Sequence, residues 1–335
     1  MSLARTGCGV HEAGKAFDPQ TLQVVLAGTR NMAMPMGVVM DTLLRHLDVS
    51  VSVRFTVLSL GFESVDRGRL SRVVGRYGER VSLRVVRVDD GPAGDLVGDR
   101  LSRLPALERL GLGAYLRLFA PELMPEEPRL LYLDTDLLVD VDVAPLWRLD
   151  LQGRVIAAAR NLLYSTAGDP MALAYAIDEL PLESDSAYFN SGVLVIDAER
   201  WRSESVTERV LEFLSAHASE LISADQDGIN AVLAGQILEM DPVWNLAVLD
   251  EGKARLLEGE SRVQQERVLS SGLAESAVYH FWGKHKPWNS GLNHPQRSRY
   301  FEAVRESGYY GAWYGLYRRA ADLGSLMDSV KRRLR

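Results

Sequence analysis

Leu130-Leu131-Tyr132-Leu133-Asp134-Thr135-Asp136 is a short apolar run that ends in two carboxylates one residue apart. With Pro128 before it and Asp134 after it, the segment Arg129 to Leu133 reads as a central strand covered on both faces, because such strands are brief and continuously apolar. In open α/β sheets, ligands bind beyond the carboxyl ends of the strands, and Asp134 and Asp136 are delivered to that place. Two acids on one side of a loop repel each other. A divalent cation with oxygen ligands relieves that repulsion. If the cation also touches a pyrophosphate, it neutralises charge growing on a leaving nucleotide. The competing reading is a plain turn after a strand, where Asp and Thr are common.

The pattern on the amino-terminal side decides what kind of sheet this strand joins. Val24-Val25-Leu26-Ala27 is a buried-strand candidate, and Met36, Val39, Met40, Leu43, Leu44 and Leu47 then recur at helical spacing within Met34 to Leu47. Val51 to Leu60 alternates and is β-branched, Val65 to Tyr77 is a basic helix candidate, and Val81 to Val88 is a third strand. Asp89-Asp90-Gly91-Pro92 reads as the turn that ends it. The order β-α-β-α-β implies an α/β fold with a mainly parallel, doubly wound sheet. Leu101 to Leu123 reads as helical with an interruption near Gly111 and Gly113. Val155 to Ala159 and Val193 to Ile196 read as strands, and Trp201 to Leu221 and Gln226 to Leu233 as helices. Beyond Pro242 the pattern is irregular, as expected of loops that close over a site.

Composition bounds the function. Hydrophobic residues at 47% and charged residues at 25% are those of a globular chain, which sets aside disordered and fibrous classes. A net charge of -7 argues against a nucleic-acid partner, which needs a basic footprint. Cys8 is the only cysteine, so neither an intrachain disulfide nor a multi-cysteine zinc site can form. Neither a signal-type apolar run within residues 1–20 nor a stretch of ~20 apolar residues occurs, and a cytoplasmic protein, at most peripheral on a membrane surface, is expected. The expected division is a loose tail over 1–20, one α/β domain over 21–306, and an extension over 307–335. That extension mixes Tyr309, Tyr310, Trp313, Tyr314 and Tyr317 with arginines and ends Lys331-Arg332-Arg333-Leu334-Arg335. Such a composition suits a membrane interface, and equally a packed carboxyl-terminal helix with a solvated basic end.

Three further segments carry candidate chemistry. Tyr188-Phe189-Asn190-Ser191-Gly192 leads into the strand Val193-Leu194-Val195-Ile196, where Asn and Gly permit close backbone approach or simply make a turn. Ser223-Ala224-Asp225-Gln226-Asp227 opens a helix, and Asp225 either caps it or faces a ligand together with Gln226. Val278-Tyr279-His280-Phe281-Trp282-Gly283-Lys284-His285-Lys286-Pro287-Trp288 places a histidine at the end of a strand and lysines in the turn after it. His280 suits a metal shell of carboxylates and Lys286 a phosphate, whereas the plainer reading is an aromatic strand with a solvated basic turn.

Taken together and in order, LLYLDTD, YFNSGVLVID, DQDGIN and HFWGKHKPW resemble glycosyltransferase family 8, which includes lipooligosaccharide galactosyltransferases and glycogenin-like enzymes. The resemblance runs from about Val24 to about Trp288. It implies a GT-A fold, a UDP-sugar donor, a Mn2+-type metal (Mg2+ the alternative) and retention of anomeric configuration. It implies Asp134, Asp136 and His280 as metal ligands, and Lys286 with the backbone near Gly283 on the diphosphate. By the same resemblance Arg117 contacts sugar and phosphate, Asn190 and Asp225 hold sugar hydroxyls, and Gln226 lies beside the anomeric carbon. Ala27, Gly28, Asn31, Thr135 and Ser191 complete the implied donor site. Thr29 and Arg30 depart from the family, which usually has an acid there, so the base need not be uracil.

An amide is a feeble nucleophile, which favours attack from the face of departure over a covalent intermediate on Gln226, with Asp227 as the alternative nucleophile. A sugar nucleotidyltransferase would want a Gly-rich phosphate loop, for which Gly28-Thr29-Arg30-Asn31 is too sparse. A non-catalytic nucleotide-sugar binder would have a damaged metal set. The acceptor, whether a glycan, a lipid-linked or a small-molecule one, and the choice of glucose or galactose are not written in these segments.

Overall fold

The computed structural model describes residues 15–102, 104, 112–161, 187–219, 221, 223, 225–249, 263, 266, 276–283, 286–289 and 296–333. The first five long elements alternate as expected: β1 (Thr21–Thr29), α1 (Ala33–His46), β2 (Ser52–Leu60), α2 (Ser64–Gly75) and β3 (Val81–Arg87). With β4 (Arg129–Leu133), β6 (Ile156–Ala158), β7 (Val193–Asp197) and β8 (Ile237–Glu239) they form a seven-stranded sheet in the order β3-β2-β1-β4-β7-β6-β8. Only β7 runs against the others. The chain order reverses between β1 and β4, so the crevice beyond their carboxyl ends lies at the switch point of the sheet.

Alternation along β1 explains the three layers. Leu22, Val24 and Leu26 face a core shared with Met36, Met40 and Leu43 of α1. Val25 and Ala27 face the opposite core, with Tyr115, Leu118 and Phe119. Each fully buried chain of this size contributes roughly 1.5–3 kcal/mol, so neither face can be left open. A second sheet of three strands, β5 (Leu137–Val139), β10 (Val278–Phe281) and β9 (Leu246–Val248) in the order β5-β10-β9, continues where β4 ends.

Several elements differ from the expectation. Asp89-Asp90-Gly91-Pro92 is the start of α3 (Gly91–Leu101) and not only a turn: Asp90 takes the cap position, and proline is tolerated in a first helical turn because its missing N–H would be unpaired there anyway. The described part of 101–123 is a chain of short turns, Leu112–Tyr115, Leu116–Phe119 and Ala120–Leu123. The helix expected over Trp201 to Leu221 is two, α4 (Ala198–Ser203) and α5 (Val206–Ala216), broken where Ser205 takes a left-handed φ of 51°. The helix expected over Gln226 to Leu233 forms as α6 (Asp225–Val232), and past Pro242 there is more order than the pattern indicates: β9, β10 and α7 (Arg297–Glu306) all form. Strands of three or four residues carry too little periodicity to be read.

The segment after Ser307 lies against the domain. A Cβ on Gly37 of α1 would meet Tyr309 Cδ2 at 2.7 Å, so this glycine lets the ring pack on the helix. Arg76, at the carboxyl-terminal cap of α2, donates to the carbonyl of Glu306 at 2.6 Å, and Tyr310 stacks on Tyr317 at the start of α8 (Tyr314–Arg333). Trp313, Leu316 and Leu323 are exposed. Among the described residues no helix is long and apolar enough to cross a membrane.

Candidate active site

β4 ends at Leu133, and the next backbone N–H, from Asp134, donates to the carbonyl of Gly192 at 2.7 Å. At Leu137 the chain enters β5 of the small sheet. Asp134-Thr135-Asp136 is therefore the corner between the two sheets. Antiparallel pairing sets His280 of β10 opposite Leu137, and Phe281 N–H donates to the carbonyl of Asp136 at 3.0 Å. The register thus brings the distant histidine to the acidic corner. One ligand atom from each of Asp134, Asp136 and His280 lies within 4.8 Å of the others. His280 Nε2 stands 3.2 Å from Asp136 Oδ1 and 3.7 Å from Asp134 Oδ2. Two carboxylates and an imidazole suit a divalent cation such as Mn2+.

The charges around this corner are tightly partnered. Burial alone would raise the Asp136 carboxyl, but the Lys286 ammonium and the His280 ring hold it well below the usual range. Lys286 Nζ pairs with Asp136 and also donates to the carbonyl of Phe281. Arg117 is buried, with Nη2 at 2.8 Å from Asp134 Oδ1 and Nε at 2.9 Å from Asp225 Oδ2. Its Nη1 donates to Ser191 O at 2.6 Å, and its guanidinium lies over the Tyr132 ring. Tyr132 in turn donates to Asp134 Oδ1 at 2.9 Å. Burial pushes the Asp225 carboxyl up to about 6, against the pull of Arg117.

Two clefts meet at the acidic corner and share Asp134, Asp136 and Lys286 as walls. The first, about 320 Å3, is bounded by Ala27, Gly28 and Thr29 at the end of β1, by Arg117 and Thr135, and by Trp288. The second, about 250 Å3, is bounded by Asn190, Ser191, Asp225, Gln226, His280 and Gly283, together with Asn161 and Trp282. Gly192, immediately before β7 and beside His280, must lack a side chain, because a Cβ there would stand 2.3 Å from His280 Cε1.

Two expected site residues lie off these walls. Asn31 sits in a turn after β1, where it accepts from the Thr29 hydroxyl. Asp227, proposed as an alternative nucleophile, is buried with one oxygen accepting from the Tyr188 hydroxyl and the other from Ser223 N–H at 2.8 Å. Each of its oxygens is thus engaged by a neighbouring donor, and the residue does not line the second cleft. Arg30, which stands where the family has an acid, pairs with Glu63 and Asp66 at the start of α2.

Sequence reasoning overlooked Asn245, Asn161 and the role of Tyr188. Asn245 is 4% exposed and lies in Trp244-Asn245-Leu246-Ala247-Val248. An amide inside an apolar run must find partners, and that was the available signal. Asn245 Oδ1 lies 2.8 Å from His280 Nδ1, and its Nδ2 donates to Asn190 Oδ1 at 2.7 Å. No comparable signal marks Asn161.

Comparison with known proteins accords with this geometry. The model of glycosyl transferase family 8 matches residues 23–291. General stress protein A of Bacillus subtilis is 30% identical over 286 residues, covering 84% of this chain and 92% of that protein. Lipopolysaccharide 1,2-glucosyltransferase of Escherichia coli is 29% identical over 210 residues, covering 62% of this chain and 59% of that enzyme. The galactosyltransferase LgtC, solved with donor and acceptor sugar analogues, superposes with a TM-score of 0.66 at 21% identity, covering 85% of this chain and 95% of its own. That likeness establishes the fold as GT-A, a mixed sheet flanked by helices. The match over residues 23–291 makes this chain an enzyme of glycosyl transferase family 8.

Proposed function

We propose that the protein is a metal-dependent, retaining hexosyltransferase that takes glucose or galactose from a UDP-sugar and passes it to a glycan, lipid-linked or small-molecule acceptor. The observation that carries this reading is the convergence of Asp134, Asp136 and His280 at the junction of two clefts. The names of a relative and a structural neighbour, a glucosyltransferase and a galactosyltransferase, support the hexose class. A divalent cation held by these three residues would stabilise negative charge on the departing diphosphate.

The residues divide the remaining work. The first cleft, bounded by Gly28 and Thr29 at the end of β1 and by Trp288, suits a nucleotide. Lys286, paired with Asp136, would neutralise phosphate, and Arg117, paired with Asp134 and Asp225, would hold both carboxylates in place. The second cleft suits the sugar, with Asp225, Asn190 and Ser191 as partners for hydroxyls. The Gln226 carbonyl oxygen already accepts from Asn190 Nδ2 at 2.9 Å and from Ser191 N–H at 3.1 Å. Both lone pairs are thus committed, which favours same-face attack over a covalent intermediate on Gln226.

A thermal-shift panel of nucleotide sugars with and without Mn2+ tests this reading. One UDP-hexose at about a hundred times its Kd should raise Tm by roughly 4 °C, and only with the metal present. Equal shifts with and without Mn2+, or none across the panel, would remove the donor and metal assignment.

A further inference from the structure

The polarity of the buried amides behind the acidic corner can be worked out from two backbone groups. Gly192 N–H, which can only donate, points at Asn190 at 2.9 Å, so the Asn190 atom there is oxygen. The same Asn190 oxygen lies 2.7 Å from Asn245, so the facing Asn245 atom is its NH2. Asn245 therefore turns its oxygen to His280 Nδ1, 2.8 Å away, and that ring nitrogen must carry the proton. At the far end Ser191 N–H, also a fixed donor, sets the Gln226 oxygen toward the Asn190 NH2. The two ends agree, and His280, Asn245, Asn190 and Gln226 are all at least nine-tenths buried.

We infer that Asn245 is a positioning residue. It holds His280 as the Nδ1–H tautomer and so leaves the Nε2 lone pair directed at the gap beside Asp134 and Asp136. A histidine that ligates through one nitrogen is oriented by the hydrogen bond at the other, and here the acceptor is a side-chain amide. Gly192 completes the arrangement, since its missing side chain lets the ring come close to the backbone that fixes the polarity. This inference rests on the proposed metal site but concerns only the ring and its neighbours.

The test is long-range 1H–15N correlation of the histidine rings in the metal-free, full-length protein, at a pH where the His280 ring is neutral. The His280 signals are assigned as those absent from the His280→Gln variant. The wild-type spectrum should show a protonated Nδ1 and a bare Nε2, and an Nε2–H tautomer would overturn the inference. Binding of Mn2+ alone, followed by the EPR signal of the free ion, should weaken by about 10–100-fold in Asn245→Leu. Asn245→Asp keeps an acceptor for Nδ1–H and should stay within a few-fold of wild type. Wild-type Mn2+ affinity in a folded Asn245→Leu variant, or equal losses in both variants, would contradict the assignment. Should Asn245→Leu not fold, the wild-type spectrum and Asn245→Asp still decide. A wild-type protein that shows the expected tautomer but binds no Mn2+ would sink the metal reading and leave the tautomer assignment standing.

Discussion

Asp136→Asn is expected to lower kcat/KM for sugar transfer by about a thousandfold or more, measured as donor consumption with Mn2+ in excess. Asparagine keeps the shape of the corner and its backbone bond to Phe281, but it removes a charge and a ligand atom from the Asp134, Asp136 and His280 set. It also leaves the partly buried Lys286 without its carboxylate partner. Stability should fall only modestly, because the backbone register of β5 and β10 does not depend on that side chain. Activity within tenfold of wild type would show that Asp136 holds no ion. Activity loss in step with unfolding would show that the residue is structural.

Arg117→Met is the second change with a large effect, and it acts through charge. Arg117 lies between Asp134 and Asp225, and a buried carboxylate left without its counter-charge costs about 3–5 kcal/mol. Asp225 already titrates near 6 because burial outweighs the pull of Arg117. Its folded value is above the ordinary carboxylate range. Its ionised form therefore destabilises the fold as pH rises through that range toward 6, and its protonated form is tolerated below it. Without Arg117 the midpoint moves higher still. The Tm deficit of the variant, followed by calorimetry, should be largest near pH 8 and shrink as pH falls through the Asp225 midpoint. Activity has the opposite sign. A carboxylate that accepts from sugar hydroxyls works only when ionised, so wild-type kcat/KM should drop as pH falls through about 6, with the drop moved to higher pH in the variant. A Tm deficit independent of pH would mean that lost packing against Tyr132, and not charge, accounts for the damage.

The parts of this site that could be read from sequence are those with a strong local signature. β4 was legible because a strand buried on both faces has no polar position, and Asp134 and Asp136 mark where that burial stops. The alternation of β1 to β3 with α1 and α2 was legible for the same reason, through long periodic segments. β5 and β9 were not, since three residues show no period. Gly91-Pro92 misled because the same dipeptide ends a strand and opens a helix. Nothing marked Ser205 as a left-handed break between two helices. His280 was singled out by the family pattern, and only the register of β10 against β5 explains how it reaches the acids. Asn245 carries no charge and belongs to no motif, so its role emerges only once its partners are in place.

The most direct measurement of the central claim is an anomalous difference map at the manganese edge, from crystals of the full chain grown with UDP and Mn2+. A single strong peak within about 2.0–2.6 Å of a carboxylate oxygen of Asp134, one of Asp136 and Nε2 of His280, and in contact with the diphosphate, is the predicted result. A peak elsewhere, or UDP bound in the cleft beside Gly28 and Trp288 with no peak at that corner, would contradict it.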